Sequence, residues 1–180
     1  MKFISRLIIG ILFFIYACNN IKVMKEKTYK INYETDFGQF YIVNDISVPI
    51  NFDWDKRAFE NRMYQCKGCL AVLIASTYFI QGEVIVLNKD NGIDDINKYD
   101  HIVEGGIEVI NKHLYFLDCP NSELLMKIEL PNGHYGIRVY TMNSKNILGD
   151  CLEPEEDRYK IEIFPSNVKE IRVIKMLKKD

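Results

Sequence analysis

The chain has 180 residues, 48% of them hydrophobic and 27% charged, and a formal net charge of -2 at pH 7. These values sit in the ordinary globular range, which excludes a disordered or collagen-like chain, and the length suits a single domain. The mildly acidic balance also argues against general nucleic-acid binding, which depends on neutralising phosphates with lysine and arginine.

In chain order, Lys2 and Arg6 precede eleven apolar residues, Leu7 to Ala17. A run of that length suits the core of a signal peptide and is short of the roughly 20 residues that a membrane span needs. Residues 1–17 are therefore expected to be an export signal. The end of the run, Ile15-Tyr16-Ala17-Cys18, resembles the lipobox of bacterial lipoproteins, where cleavage precedes a cysteine that is then acylated. That resemblance implies lipidation of Cys18 and a protein lipid-anchored to the bacterial cell envelope, on its periplasmic or cell-surface face. Several acyl chains anchor stably where one does not. The alternative is a plain secretory signal with a coincidental cysteine. Cleavage before Cys18 leaves 163 residues with 21 basic and 25 acidic side chains, a formal charge of -4 that is compatible with a basic protein partner.

Residues 18–30 are polar and lysine-rich and suit a tether, followed by one domain over residues 31–180. From Ile31 to Val43 the aromatic and β-branched residues Tyr33, Phe37, Phe40, Tyr41, Ile42 and Val43 predict a first strand or hairpin. Asp53-Trp54-Asp55 then offers an N-cap aspartate with a second carboxylate in the first turn. Phe59, Met63 and Cys66 follow at helical spacing, which predicts one amphipathic helix from about Trp54 to about Cys66, stopped by Gly68. Trp54, the only tryptophan, is expected to anchor that helix on a sheet.

Leu70 to Ala75 is a continuous apolar run that suits a strand buried on both faces, and Tyr78-Phe79-Ile80 and Glu83 to Leu87 are expected to pair around Gln81-Gly82. Asn88 to Asp100 is a long polar loop with four aspartates. Strand and turn signals return at Ile107 to Ile110, Asn111-Lys112-His113 and Leu114 to Leu117. In Leu124 to Met142 two apolar arms flank Pro131-Asn132-Gly133, a turn sequence that predicts a central β-hairpin. A second acidic loop, Asp150 to Asp157, leads to Tyr159–Phe164, where Tyr159, Ile161 and Ile163 alternate with Lys160 and Glu162. The tail from Val168 to Leu177 fits either a helix or a strand. The fold class expected is mainly β, an antiparallel β-sandwich of about eight strands with one amphipathic helix.

Beyond Cys18, the cysteines Cys66, Cys69, Cys119 and Cys151 form an even set in an oxidising compartment, to be read as disulfides or inert thiols. Four cysteines allow three pairings, and the sequence does not choose among them. Cys66-Lys67-Gly68-Cys69 has the spacing of redox and zinc sites. A zinc site needs a second close pair, and a thioredoxin-like pair opens a helix where this one closes the predicted helix. The first glycine after Asn88 and Asp90 does not fall where an EF-hand requires it. No metal, cofactor or catalytic residue is assigned. The common nucleophile, phosphate-loop, dinucleotide and zinc-protease motifs are all missing, and His101, His113 and His134 are expected to be isolated surface residues.

Gln39-Phe40, Asp53-Trp54, Lys67-Gly68-Cys69-Leu70-Ala71-Val72, Gly106-Ile107-Glu108-Val109 and Leu130-Pro131-Asn132-Gly133-His134-Tyr135 are short motifs that together span most of the mature chain. They resemble those of the competence protein J family, small bacterial inhibitors of a DNA-entry nuclease. The resemblance implies a non-catalytic protein that binds and blocks a nuclease. Carboxylates occupying a basic phosphate groove are the physical route, and the contact residues expected on that basis are Asp90, Asp94, Asp95, Glu153, Glu155, Glu156 and Asp157. The alternative is a surface lipoprotein that binds glycan, peptide or envelope components.

Overall fold

The computed structural model describes residues 25–120, 122–144 and 156–178. Cys18 and the export signal lie outside these residues, as do Cys151, Glu153 and Glu155. Among the described residues, eleven strands form two sheets, and one short α-helix lies between two strands of the smaller sheet. The six-stranded sheet runs β1 (Lys27–Glu34), β5 (Phe79–Val86), β10 (Arg158–Pro165), β9 (Gly133–Met142), β6 (His101–Val109) and β11 (Arg172–Lys175). The five-stranded sheet runs β3 (Met63–Cys66), β4 (Cys69–Leu73), β2 (Gln39–Val43), β7 (His113–Asp118) and β8 (Leu124–Glu129). Neighbours are antiparallel except β5 and β10, which are parallel. The mainly β sandwich expected from the sequence is thus observed, with more and shorter strands than the apolar runs suggested. Strand β1 begins at Lys27, inside the stretch assigned to the tether.

The main core fills the space between the sheets. It takes one face of each strand: Phe40 and Ile42 of β2, Leu70 and Val72 of β4, Ile137 and Val139 of β9, and Tyr159, Ile161 and Ile163 of β10. These follow the period of two that puts alternate residues on one face. The run predicted to be buried on both faces is β4, whose other face, Cys69 and Ala71, is covered by the 44–55 segment.

The predicted central hairpin at Leu124–Met142 is a corner. Strand β8 pairs with β7 in one sheet, while β9 pairs with β6 and β10 in the other, so the two arms do not pair with each other. The preceding Asn111-Lys112 turn also crosses between sheets, so β6–β7 and β8–β9 form one long two-stranded ribbon bent over the core. The two bends are tied together: the Asn132 side-chain oxygen accepts from Lys112 N–H at 2.8 Å, and Leu130 N–H donates to the Lys112 carbonyl at 2.9 Å. Tyr135 Oη donates to the Pro131 carbonyl at 2.9 Å and braces the bend from inside. Pro-Asn-Gly suits a hairpin and a corner equally well, and the partners of the two arms make the difference.

Three other expectations change for similar reasons. Helix α1 is Lys56–Asn61, capped by the Asp55 side chain on Ala58 N–H at 2.7 Å and ended by Arg62 in the left-handed region. Met63–Cys66, expected as its last turns, forms edge strand β3 instead: it pairs with β4 in its own sheet, and Gln65 bonds across the sandwich to the Gly106 carbonyl. The residues around Gln81-Gly82 form one continuous strand, β5, with no turn. Gly82 has φ +152°, and a Cβ there would fall 1.8 Å from the Tyr159 carbonyl oxygen, so only glycine lets β5 and β10 approach. The ambiguous tail is strand β11 on the edge of the larger sheet.

Candidate functional site

Charge is concentrated on the outer face of the six-stranded sheet, where the 88–100 loop lies across β6 and β9. Tyr99 of that loop packs on Tyr140 with ring centroids 4.5 Å apart, beside Ile102. The loop thereby covers Arg138, which is only 2% exposed. Arg138 Nε donates to Glu104 Oε2 at 2.7 Å. Its two terminal nitrogens meet the Asp90 carboxylate in a bidentate pair, each at 3.0 Å, and one also donates to the Gly92 carbonyl at 3.1 Å. Glu162 lies 3.3 Å away and the Phe164 ring centroid is 4.5 Å from the guanidinium.

The network continues outward. Glu104, fully buried, also pairs with Arg172 at 3.0 Å, and Glu162 accepts from Tyr140 Oη at 2.7 Å and pairs with Lys160 at 2.8 Å. Three carboxylates thus face three cations. Burial alone would weaken the charge on Arg138, but the hydrogen bonds to Asp90 and its other partners outweigh it and raise its pKa. Hydrogen bonding to Arg138 in turn holds the Asp90 carboxyl below the usual range.

This arrangement relocates most of the acidic contact residues expected from the sequence. Asp90 caps a buried arginine. Asp94 accepts from Tyr99 Oη at 3.0 Å and sits 3.8 Å from Lys98, and Asp95 caps a 3-10 turn by accepting from Asn97 N–H at 3.0 Å. Both remain exposed, as does Glu156. Asp157 is a correction: it is 2% exposed, accepts from Tyr159 Oη at 2.7 Å and Ser76 Oγ at 3.2 Å, and ties β10 to the 74–79 turn. It has no surface to offer a partner. The loops carry carboxylates because a buried arginine, a tyrosine and a turn need them there.

The cysteines also differ from the disulfide reading. Cys66, Cys69 and Cys119 are free thiols. Cys66 and Cys69 stand opposite each other across the Lys67-Gly68 turn, and burial raises both pKa values, which favours the protonated thiols. Cys119 accepts from Gln39 Nε2 at 2.9 Å and Tyr41 Oη at 2.8 Å. Among the described residues, no group of three His, Cys, Asp or Glu side chains could hold a metal ion.

His101 corrects the expectation that all three histidines are surface residues. It is 1% exposed at the start of β6. Leu177 N–H donates to its Nδ1 at 3.1 Å, so Nε2 carries the proton and donates to the Asn61 carbonyl at 3.0 Å. Burial pushes its pKa down to about 4, and the neutral ring joins the end of α1 to the C-terminal tail.

Two openings stand out among the described residues. One groove of about 660 Å³ lies over β1, β5 and β10 beside the 88–100 loop, lined by Lys30, Gln81, Glu83, Lys98, Arg158 and Lys160 among others. The other, about 410 Å³, is the mouth of the sandwich between α1 and Glu170-Ile171. Next to this mouth the outer face of the smaller sheet carries an aromatic array: Tyr41, Phe52, Tyr64 and Trp54 in successive ring contacts, with Phe59 at 5.4 Å from Trp54. Trp54 is only partly covered, and Phe59, expected on the buried face of a helix, is 55% exposed.

Neither feature was read from the sequence, though each has a signal there. Arg138, Glu104 and Glu162 are single charges embedded in otherwise apolar strands, which is how a buried ion network looks in a sequence. Helical spacing places Phe59 on a buried face because spacing does not reveal where the helix stops.

No protein-family model matches the chain, and no curated protein matches it in sequence. Among solved structures, the chain is similar to ComJ from Bacillus subtilis, an inhibitor of the DNA-degrading activity of NucA. The TM-score is 0.61 at 17% identity, over 79% of this chain and 100% of ComJ. The chain has a ComJ-like fold. A second similar structure, that of the crocagin biosynthetic gene J product, has a TM-score of 0.53 at 12% identity over 80% of this chain and 100% of that one. At these identities the likeness is one of fold, and it agrees with the fold implied by the short motifs around Asp53-Trp54 and Leu130–Tyr135.

Proposed function

We propose that this protein is a non-catalytic binding protein of nuclease-inhibitor type, exported and held to the cell envelope through a lipid on Cys18. The observation that carries the reading is the ComJ-like fold, which accounts for the whole length of an inhibitor of a DNA-degrading enzyme. The polar groups at the centre of the charged cluster support it: Arg138, Glu104 and Glu162 bond one another under a loop, an arrangement suited to holding a surface rigid. A rigid surface binds with little ordering cost. The net acidic charge favours association with a basic enzyme.

The test is nuclease inhibition. The chain from residue 18 onward, mixed in increasing ratio with NucA and with basic nucleases secreted by the same cells, is expected to suppress DNA cleavage stoichiometrically and with strong salt dependence. Catalysis of DNA cleavage by the protein itself, or no inhibition of any nuclease at micromolar concentration, refutes the reading. A second reading, binding of envelope glycan, is favoured by the partly exposed Trp54 beside the exposed Phe59, since flat aromatic rings pack on sugar faces.

A further inference from the structure

We infer that the end of the sandwich carrying Ile46 and Ile110 rests on the lipid bilayer that holds the Cys18 anchor. The docking rests on the lipid-anchored part of the reading above and names the surface that meets the membrane. Ile46 is 64% exposed and Ile110 is 46% exposed. They stand on neighbouring turns that are bonded to each other: Asn111 Nδ2 donates to Asp45 Oδ2 at 3.2 Å, and Asn44 Nδ2 donates to the Glu108 carbonyl at 2.8 Å. Asp45 also accepts from Ser47 N–H at 2.9 Å and from Ser47 Oγ at 2.7 Å, which fixes the turn that displays Ile46. Two large apolar side chains are thus held side by side in solvent.

The entry point of the chain selects what covers them. Lys27 of β1 stands in one row with Val86, Ile163, Ile137 and Gly105 across the larger sheet. Lys25 lies two residues before Lys27 and Ile110 five residues after Gly105, both on the same side of this row. At the rise of a strand, Ile110 reaches about 10 Å farther out than Lys25. Lys25 follows Cys18 by seven residues, which span about 25 Å at most, so a lipid on Cys18 keeps this end within reach of the bilayer. Phe37 and Leu124 are as exposed but lie at the opposite end, past Glu34 of β1 and beside Leu117 of β7. Charges of both signs surround the isoleucines, Lys67 and Lys112 with Asp45 and Glu108, so the contact on offer is apolar insertion. A lipid supplies the anchor, and a second apolar contact fixes the orientation. Docked this way, the exposed Glu156 at the opposite end points away from the membrane, where a protein partner approaches.

The experiment uses the full chain expressed in bacterial cells. Broken membranes open to reagent on both faces are treated with a water-soluble acetylating reagent, and the labelling rate of each lysine is read by mass spectrometry, which also reports the lipid on the Cys18 peptide. The wild type is compared with the double variants Ile46→Ser, Ile110→Ser and Phe37→Ser, Leu124→Ser, in membranes and after extraction in detergent, and urea midpoints confirm that each is folded. In membranes Lys112 is expected to label about threefold faster or more in the isoleucine variant than in the wild type, with Lys98 at the far end unchanged. The phenylalanine–leucine variant is expected to match the wild type at both lysines, and all three proteins to agree after extraction. Equal Lys112 labelling in wild type and isoleucine variant, with lipid present on Cys18, overturns the docking and leaves the anchor standing. Protection of Lys112 that disappears in high salt assigns the contact to charge and overturns it too, as does an effect confined to the Phe37→Ser, Leu124→Ser protein. A Cys18 without lipid overturns the docking and the anchor together, and leaves nuclease inhibition to its own assay.

Discussion

Asp90 separates two accounts of the 88–100 loop, a surface for a partner and a cover for a buried charge. In the structure its carboxylate makes two charge-assisted hydrogen bonds of 3.0 Å to Arg138 and accepts from Gly92 N–H at 2.8 Å. A charged hydrogen bond contributes about 1.5–3 kcal/mol when buried. The Asp90 side chain is 42% exposed, so solvent screening reduces the sum of the two to about 1–2 kcal/mol. Glu104 and Glu162 still neutralise Arg138 in an Asp90→Asn protein, so the loss is no larger. For a domain of this size that lowers the melting temperature by roughly 3–6 °C. The assay is urea unfolding with hydrogen exchange of the loop amides, and a lower midpoint at unchanged slope is expected, with faster exchange over residues 88–100. The pH dependence follows from the sign of the shift: the Asp90 pKa is depressed in the folded protein, so its contribution is complete above the unfolded value near 3.9 and fades as pH falls through the folded value. Asp90→Asn removes that dependence. An unchanged midpoint with unchanged exchange, together with weakened inhibition, refutes the assignment and returns Asp90 to a partner contact.

Glu104→Gln is expected to cost more, about 3–5 kcal/mol by the same unfolding assay, because Glu104 is fully buried between two arginines and its loss leaves Arg138 under-compensated. His101 sets a second pH dependence of known sign. Its folded pKa near 4 lies below the unfolded value near 6.5, so the unfolded chain binds the extra proton between these values and stability falls as pH drops from 6.5 to 4, by roughly 3 kcal/mol. His101→Gln flattens the urea midpoint across that range. Gly82→Ala places a methyl group against the Tyr159 carbonyl and is expected to abolish soluble expression or lower the melting temperature by more than 10 °C, since two paired strands must separate to admit it. In thiol labelling, Cys69 and Cys119 react only after denaturation, and a reductant leaves the native urea midpoint unchanged.

The surface chemistry divides along the same lines. The carboxylates of the long loop are held by an arginine, a tyrosine and a turn of their own fold, so a count of acidic residues overstated what the loop offers a partner. The aromatic pair beside α1 offers more than helical spacing suggested, because the helix ends at Asn61 and leaves Phe59 in solvent.

What the sequence determined by itself was local: which stretches are extended, that they alternate or are buried on both faces, and where turns fall. The strand at Tyr159–Phe164, the buried run at Leu70 and the corner residues Pro131-Asn132-Gly133 were all legible, because period-two patterning and turn chemistry act over a few residues. Pairing was decided only in three dimensions. Leu124–Glu129 and Gly133–Met142 belong to different sheets because the first pairs with β7, the strand just before it, and the second with β6 and β10, which lie farther away in the chain. Arg138 is buried because Glu104, Glu162 and Asp90 arrive from three separate segments to neutralise it. No short window of sequence holds both members of such a pair, and burying a charge is favourable only when all of them meet.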